Sequence, residues 1–280
     1  MVDNIVNIEN EYFKKKTKDA YEALMNKKFK DVIEILTEPI EKIEEKIKGS
    51  KVYCPQNIFD ASIFLNFLEP KAEQEDFAKI NYYDLYLMIG AANYNLNNYD
   101  EATKFYKKAV ELNPASSVAR LQLLEINKVE KHFDNFTDDI KDLFKFAYRR
   151  ADMAKAYRDM GYFLYEKKDY ELSIVAYYLS NVYEVTELSM KEVKHISEIA
   201  NIDLDSKQWL SEEMMGEFYD KYKIPLLPDQ GLVKLADVVA TDAYEKNAFK
   251  SALFLNQVAY ELTLDQTYLD KINELKDKNN

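Results

Sequence analysis

Apolar residues recur every three or four positions through most of this chain, the spacing of one buried helical face. The clearest run is Phe29, Val32, Ile33, Leu36, Ile40 and Ile43. It predicts a helix starting at Phe29, after a break at Asn26-Lys27-Lys28 and a preceding helix from about Glu9 to Met25. Further helices are predicted from Ile58-Phe59 to Phe67-Leu68, around Lys191 to Ala200, and around Lys207 to Tyr222. Glu69-Pro70 stops the first of these, and an acidic, polar connection follows it. Two prolines forbid a helix at Ile224-Pro225-Leu226-Leu227-Pro228, so that segment is expected to run extended across the outside of neighbouring helices.

The pattern also repeats on a longer scale. From Tyr83 to Ser116 a first helix carries Tyr86, Ile89 and Gly90 in large-large-small order, with Tyr94 near its end. Tyr99-Asp100-Glu101-Ala102 opens a second helix, Tyr106 and Ala109 continue its packing face, and Pro114 ends it. Small Gly90 and Ala102 let two antiparallel helices approach closely, and the tyrosines fill the space beside them. These positions resemble the tetratricopeptide repeat, a helix-turn-helix unit of about 34 residues.

A second strong copy spans residues 154–187, with Tyr157, Met160, Gly161, Leu164, Tyr165, Tyr170, Ser173, Tyr177 and Ser180 at the same offsets. Serine replaces alanine at both small positions of its second helix. Residues 117–150 form a degenerate copy, in which Leu124 and Phe136 take the small positions and Phe133 is the aromatic expected to open the second helix. Residues 233–266 fit again through Val239, Ala240, Ala243, Tyr244, Phe249, Ala252 and Ala259, although Ala236 stands where a large aromatic is usual. The remainder divides into a repeat-like pair at 9–49, a divergent or inserted helix at 50–82, a divergent repeat with a loop at 188–232, and a tail after 266. The resemblance implies an all-α, right-handed superhelical solenoid of antiparallel helix pairs. No linker rich in Gly, Ser or Pro divides the chain, so one continuous solenoid over residues 1–280 is expected.

Composition narrows the function. Only five glycines and six prolines are present, which suits long helices with short connections. The formal net charge of −12 lacks the basic footprint of a nucleic-acid ligand and disfavours an anionic membrane surface. The start, Met1-Val2-Asp3-Asn4-Ile5, has neither the basic residues nor the apolar run of a secretory leader, and no segment is apolar enough to span a bilayer. The single cysteine, Cys54, allows no intramolecular disulfide, and a cytoplasmic, reducing location is expected.

Candidate chemistry is sparse. His132 falls in a turn and His195 on a helix surface, neither spaced with another His or Cys for a metal. Gly49, Gly90, Gly161, Gly216 and Gly231 are scattered singly, so no phosphate loop or nucleophile elbow is formed. Lys14-Lys15-Lys16 and the group Glu38, Glu41, Glu44 and Glu45 follow solvated helical faces. Asp134, Asp138 and Asp139 lack the alternation and the glycine of a calcium loop. Trp209 is expected to pack against a neighbouring helix. No catalytic residue, cofactor or metal ligand is expected.

The resemblance implies binding instead. In this family the first helix of each pair lines a concave surface through five offsets. These are Asp84, Leu87, Ala91, Tyr94 and Asn95 in the first strong repeat, and Val118, Leu121, Glu125, Lys128 and Val129 in the degenerate one. The second strong repeat gives Lys155, Arg158, Tyr162, Tyr165 and Glu166. Tyr94, Asn95, Lys128, Arg158, Tyr162 and Tyr165 are the candidate partner-binding residues, mixing aromatic, basic and amide groups as an extended peptide or partner helix requires. The offset of Tyr165 also faces the next repeat. Leu87 and Ala91 stand where a subtype of the family carries the Lys and Asn that grip a terminal carboxylate, so that clamp is not expected. The function expected is a non-catalytic scaffold or adaptor for a protein or peptide partner. The alternatives are a peptide-responsive regulator, or an enzyme with a site of unfamiliar form. The concavity is expected to be open unless the 58–68 or 224–228 segment folds into it.

Overall fold

The computed structural model describes residues 2–69, 77–78 and 80–278, with side chains from residue 11 onward. The chain is all-α, as its periodicity predicts. Among the described residues the one extended pairing is an isolated bridge between Tyr53 and Phe77. Two compact units are present, residues 1–126 and 127–280.

In the first unit, α1 (Val2–Met25) begins earlier than the expected Glu9 and breaks at Asn26-Lys27-Lys28 as expected. The next helix, α2 (Phe29–Ile47), buries Val32, Leu36, Ile40 and Ile43 and carries Pro39 within it. The short α3 (Ile58–Ile63) starts where the Asn57 side chain accepts from the Phe59 and Asp60 amides, and it runs into a single π-helical turn at Phe64–Leu68. The 58–68 element is therefore helical, as predicted, while the connection expected at 70–76 lies outside the described residues. Then come α4 (Tyr82–Asn95), α5 (Tyr99–Leu112) and α6 (Ser117–Val129), whose last turn contains the boundary between the units. The core of this unit gathers Phe13, Val32, Leu36, Tyr82 and Tyr86, with Cys54 buried among them.

The second unit contains α7 (Phe136–Phe144), α8 (Arg150–Glu166), α9 (Tyr170–Tyr183) and α10 (Glu187–Ala200). It continues with α11 (Glu212–Tyr222), α12 (Gln230–Glu245), α13 (Phe249–Thr263) and α14 (Gln266–Lys278). One expectation fails here: Phe133 does not open a helix, because α7 starts at Phe136. Phe133 stays in the connection and packs edge-on against Phe136 and Phe163, both with ring centroids 5.5 Å away. Trp209 likewise lies outside α11, which starts later than the expected Lys207; Trp209 is buried, and its Nε1 donates to the Leu204 carbonyl at 2.9 Å. The Ile224–Pro228 stretch is non-helical as predicted, but its start is anchored rather than laid on the outside. Ile224 is fully buried, and the Tyr157 hydroxyl donates to the Pro225 carbonyl.

The two glycines of the strong repeats sit where two helices touch. A Cβ on Gly90 would lie 2.7 Å from the Tyr106 ring, and one on Gly161 would lie 2.7 Å from the Tyr177 ring. Both rings are buried, so the glycine and the tyrosine are one packing unit. The serines at the small positions of α9 keep their hydroxyls satisfied: Ser173 Oγ donates to Gly161 O at 2.7 Å and Ser180 Oγ to Tyr177 O at 2.6 Å.

Five connections between paired helices share one backbone geometry. Lys27, Asn97, Lys131, Lys168 and Asn247 each adopt the left-handed conformation, with φ between +56° and +62°. The amide of each bonds the carbonyl three residues back at 2.9–3.2 Å. The next amide, at Lys28, Asn98, His132, Asp169 and Ala248, reaches the carbonyl five residues back at 2.8–2.9 Å. This is the Schellman closure, which satisfies carbonyls that the helix end would otherwise leave unbonded. The connections after α1, α4, α6, α8 and α12 therefore turn alike.

Candidate functional site

Helix α8 carries a half-buried polar stripe in the second unit through Lys155, Arg158, Asp159, Tyr162 and Glu166, at the three- and four-residue spacing that aligns side chains along a helix. The centre of this face is Asp159, whose side chain is 1% exposed. Its Oδ1 takes the Lys155 ammonium from its own helix at 2.5 Å and the Lys128 ammonium from the last turn of α6 at 2.7 Å. The same Lys128 ammonium stands 5.2 Å from the centroid of the Tyr162 ring, a cation–π placement that holds the ring over the pair. Oδ2 of Asp159 is buried and has no hydrogen-bond partner among the described residues.

Arg158 flanks this centre. Its Nη2 meets the Glu184 carboxylate at 3.3 Å, while Nη1 is buried without a partner among the described residues. Burial, and then the neighbouring Glu166 carboxylate, hold the Tyr162 phenol above its ordinary value, against the opposing charges of Lys131 and Lys128. The phenol therefore remains a hydrogen-bond donor throughout the neutral range. Glu166 is in turn paired with Lys131 at 3.1 Å.

Lys128 thus joins the buried Asp159 carboxylate to the Tyr162 ring, while Arg158 reaches Glu184 instead. Tyr165 is turned elsewhere: its ring lies 6.0 Å from that of Tyr170 and 6.0 Å from that of His195 on α10, consistent with an offset that also faces the next helix pair. Asp159 was not among the expected residues. It occupies the offset that Met88 fills in the first strong repeat, and a charged residue at an apolar offset, four positions after a lysine, is the signal that marks it.

The remaining two candidates belong to the first unit. Tyr94 is half-buried, 5.6 Å ring to ring from Tyr99, and Asn95 is exposed with its Nδ2 donating to the Ala91 carbonyl at 2.8 Å. Their unit has its own groove of about 830 Å³ between α1 and α4, lined by Phe13, Thr17 and Tyr21 on one side and Asp84, Leu87 and Met88 on the other. Burial raises the Asp84 carboxyl above its ordinary value, with the Asn81 side chain opposing it.

The tetratricopeptide repeat family model matches residues 83–116, the segment whose glycine and tyrosine are interlocked above. The chain carries a tetratricopeptide repeat. No curated protein matches the chain. Tetratricopeptide repeats in general are non-catalytic helical scaffolds that mediate protein–protein interaction. Residues 154–187 reproduce the glycine–tyrosine contact and the Schellman turn of the matched segment, with α8 in the place of its first helix. Among the described residues, no helix is long and apolar enough to cross a membrane, and no three His, Cys, Asp or Glu are grouped to hold a metal ion.

Proposed function

We propose that this protein is a non-catalytic scaffold whose second unit holds an extended peptide of a protein partner along the face of α8. The observation that carries this reading is the pairing of Arg158 Nη1 and Asp159 Oδ2 on adjacent residues, one donor and one acceptor, both buried and both without a partner among the described residues. A peptide backbone offers the complementary carbonyl and amide. Leaving such groups unmatched costs about 1–3 kcal/mol each, and a bound backbone recovers that cost. Tyr162 adds a rigid aromatic surface that loses little side-chain entropy on binding. Lys128, fixed between Asp159 and the ring, positions both.

The test is a pull-down from lysate of the source cells with the wild-type chain and with the double variant Arg158→Ala, Tyr162→Ala. Recovery of the principal partner should fall several-fold while far-UV circular dichroism and melting temperature stay close to wild type. Undiminished recovery by a folded double variant overturns the assignment to this face.

A further inference from the structure

The last helix pair departs from the others at one informative place. In the strong repeats Tyr106 and Tyr177 lie over Gly90 and Gly161. Counting the same offsets through residues 233–266 places Asn256 over Ala240. Asn256 is 4% exposed on α13, with leucine, valine and alanine as its buried neighbours in sequence. Its Nδ2 donates to the Ala252 carbonyl at 2.8 Å, which fixes the orientation of the amide. Its Oδ1 is buried with no partner among the described residues.

A pocket of about 320 Å³ lies at this place, with Ala240, Thr241 and Tyr244 of α12, Asn256 of α13, and Glu274 and Leu275 of α14 among its walls. The charged groups at its rim are already matched. Glu274 accepts from the Tyr244 hydroxyl at 3.1 Å and from Lys278 at 2.7 Å, and Lys271 pairs with Asp237 at 3.1 Å. The unmatched polar atom is the Asn256 carbonyl oxygen, which can only accept.

We propose that this pocket binds an aromatic ring carrying a hydrogen-bond donor, of phenol or indole size, with the donor on Asn256 Oδ1. The ring would occupy the place that tyrosine rings occupy in the two strong repeats. The acceptor selects rings bearing O–H or N–H and disfavours carboxylate or carbonyl groups at that depth. The pocket has the size of a small-ligand site, and none of its residues belongs to the α8 face. The same ring chemistry arrives either as a free small molecule or as the side chain of a partner's tyrosine or tryptophan.

Phenol, toluene and N-acetyltyrosinamide are suitable probes, titrated into the 15N-labelled full chain while the Asn256 side-chain amide is followed. Phenol should bind with a Kd on the order of 1 mM, as expected for so few atoms, and at least as tightly as the more hydrophobic toluene. In Asn256→Leu the order should invert by about tenfold, the value of one buried hydrogen bond. Asn256→Tyr fills the pocket from within and should bind neither. N-acetyltyrosinamide binding more tightly than phenol indicates a ring presented on a polypeptide, and weaker binding indicates a free small molecule; either supports the site. Toluene preferred over phenol in the wild type, an order unchanged in Asn256→Leu, or phenol bound undiminished by Asn256→Tyr overturns it.

Discussion

Replacing glycine by alanine within a helix ordinarily stabilises it by about 1 kcal/mol, because alanine loses less backbone freedom on folding. The second unit contains two helical glycines for which this rule should give opposite signs. A Cβ at Gly216 on α11 meets nothing within 4 Å, whereas at Gly161 it meets three atoms of the Tyr177 ring at 2.7, 2.8 and 3.1 Å. Carbon atoms pack best at about 3.5–4.0 Å, so the ring must retreat by close to 1 Å. Tyr177 is only 4% exposed, and the retreat must push other core atoms. Overpacking of this kind costs about 1–3 kcal/mol, and an enclosed ring met at three atoms falls in the upper part, about 2–3 kcal/mol. Gly161→Ala should therefore lose about 1–2 kcal/mol net, and Gly216→Ala should gain about 1 kcal/mol. For a unit of this size those values correspond to about 2–8 °C downward and about 2–4 °C upward, readable by circular dichroism at 222 nm. The mechanism has its own check: in a Tyr177→Leu background the cost of Gly161→Ala should disappear, giving a coupling energy of about 2–3 kcal/mol in the double-mutant cycle. Equal shifts for the two alanine variants, or a cycle that sums to zero, would refute the interlocking of Gly161 with Tyr177.

Two further outcomes are expected. Lys168 pays for its left-handed conformation without glycine's freedom, so Lys168→Gly should raise stability by about 0.5–1 kcal/mol in urea titration, and Asn247→Gly should give less, because asparagine tolerates that region. Burial pushes the Cys54 thiol up to about 11; at pH 8 far less of it is thiolate than in the unfolded chain, so alkylation by iodoacetamide should be at least about 100-fold slower in the native protein than in denaturant.

Much of the architecture was legible because the repeat writes its packing into residue size. Gly90 with Tyr106 and Gly161 with Tyr177 announce a close helix approach before any coordinates are known. Phe133 misled for a physical reason. An aromatic residue at the expected offset finds its packing against Phe136 and Phe163 from a connection as well as from a helix, and residue type alone does not distinguish the two. The candidate face was half legible. Lys128, Arg158 and Tyr162 follow from the offsets, but the carboxylate that holds Lys128, Asp159, occupies a position the pattern reserves for an apolar side chain. The buried Ile224 was hidden by its neighbours, since prolines announce the absence of a helix and say nothing of what the extended chain is fastened to.

The five matching turns separate two kinds of information in this chain. Each tip is closed by the same two main-chain bonds whether lysine or asparagine stands there, and whatever side chains the helices on either side carry. A chain joined this way can change by duplication or loss of whole helix pairs without a new joint being invented. What then distinguishes one pair from another is carried by single positions on the helices, such as an aspartate in place of methionine or an asparagine in place of tyrosine. The frame is common to the pairs, and the chemistry each one presents is set by side chains that the frame does not constrain.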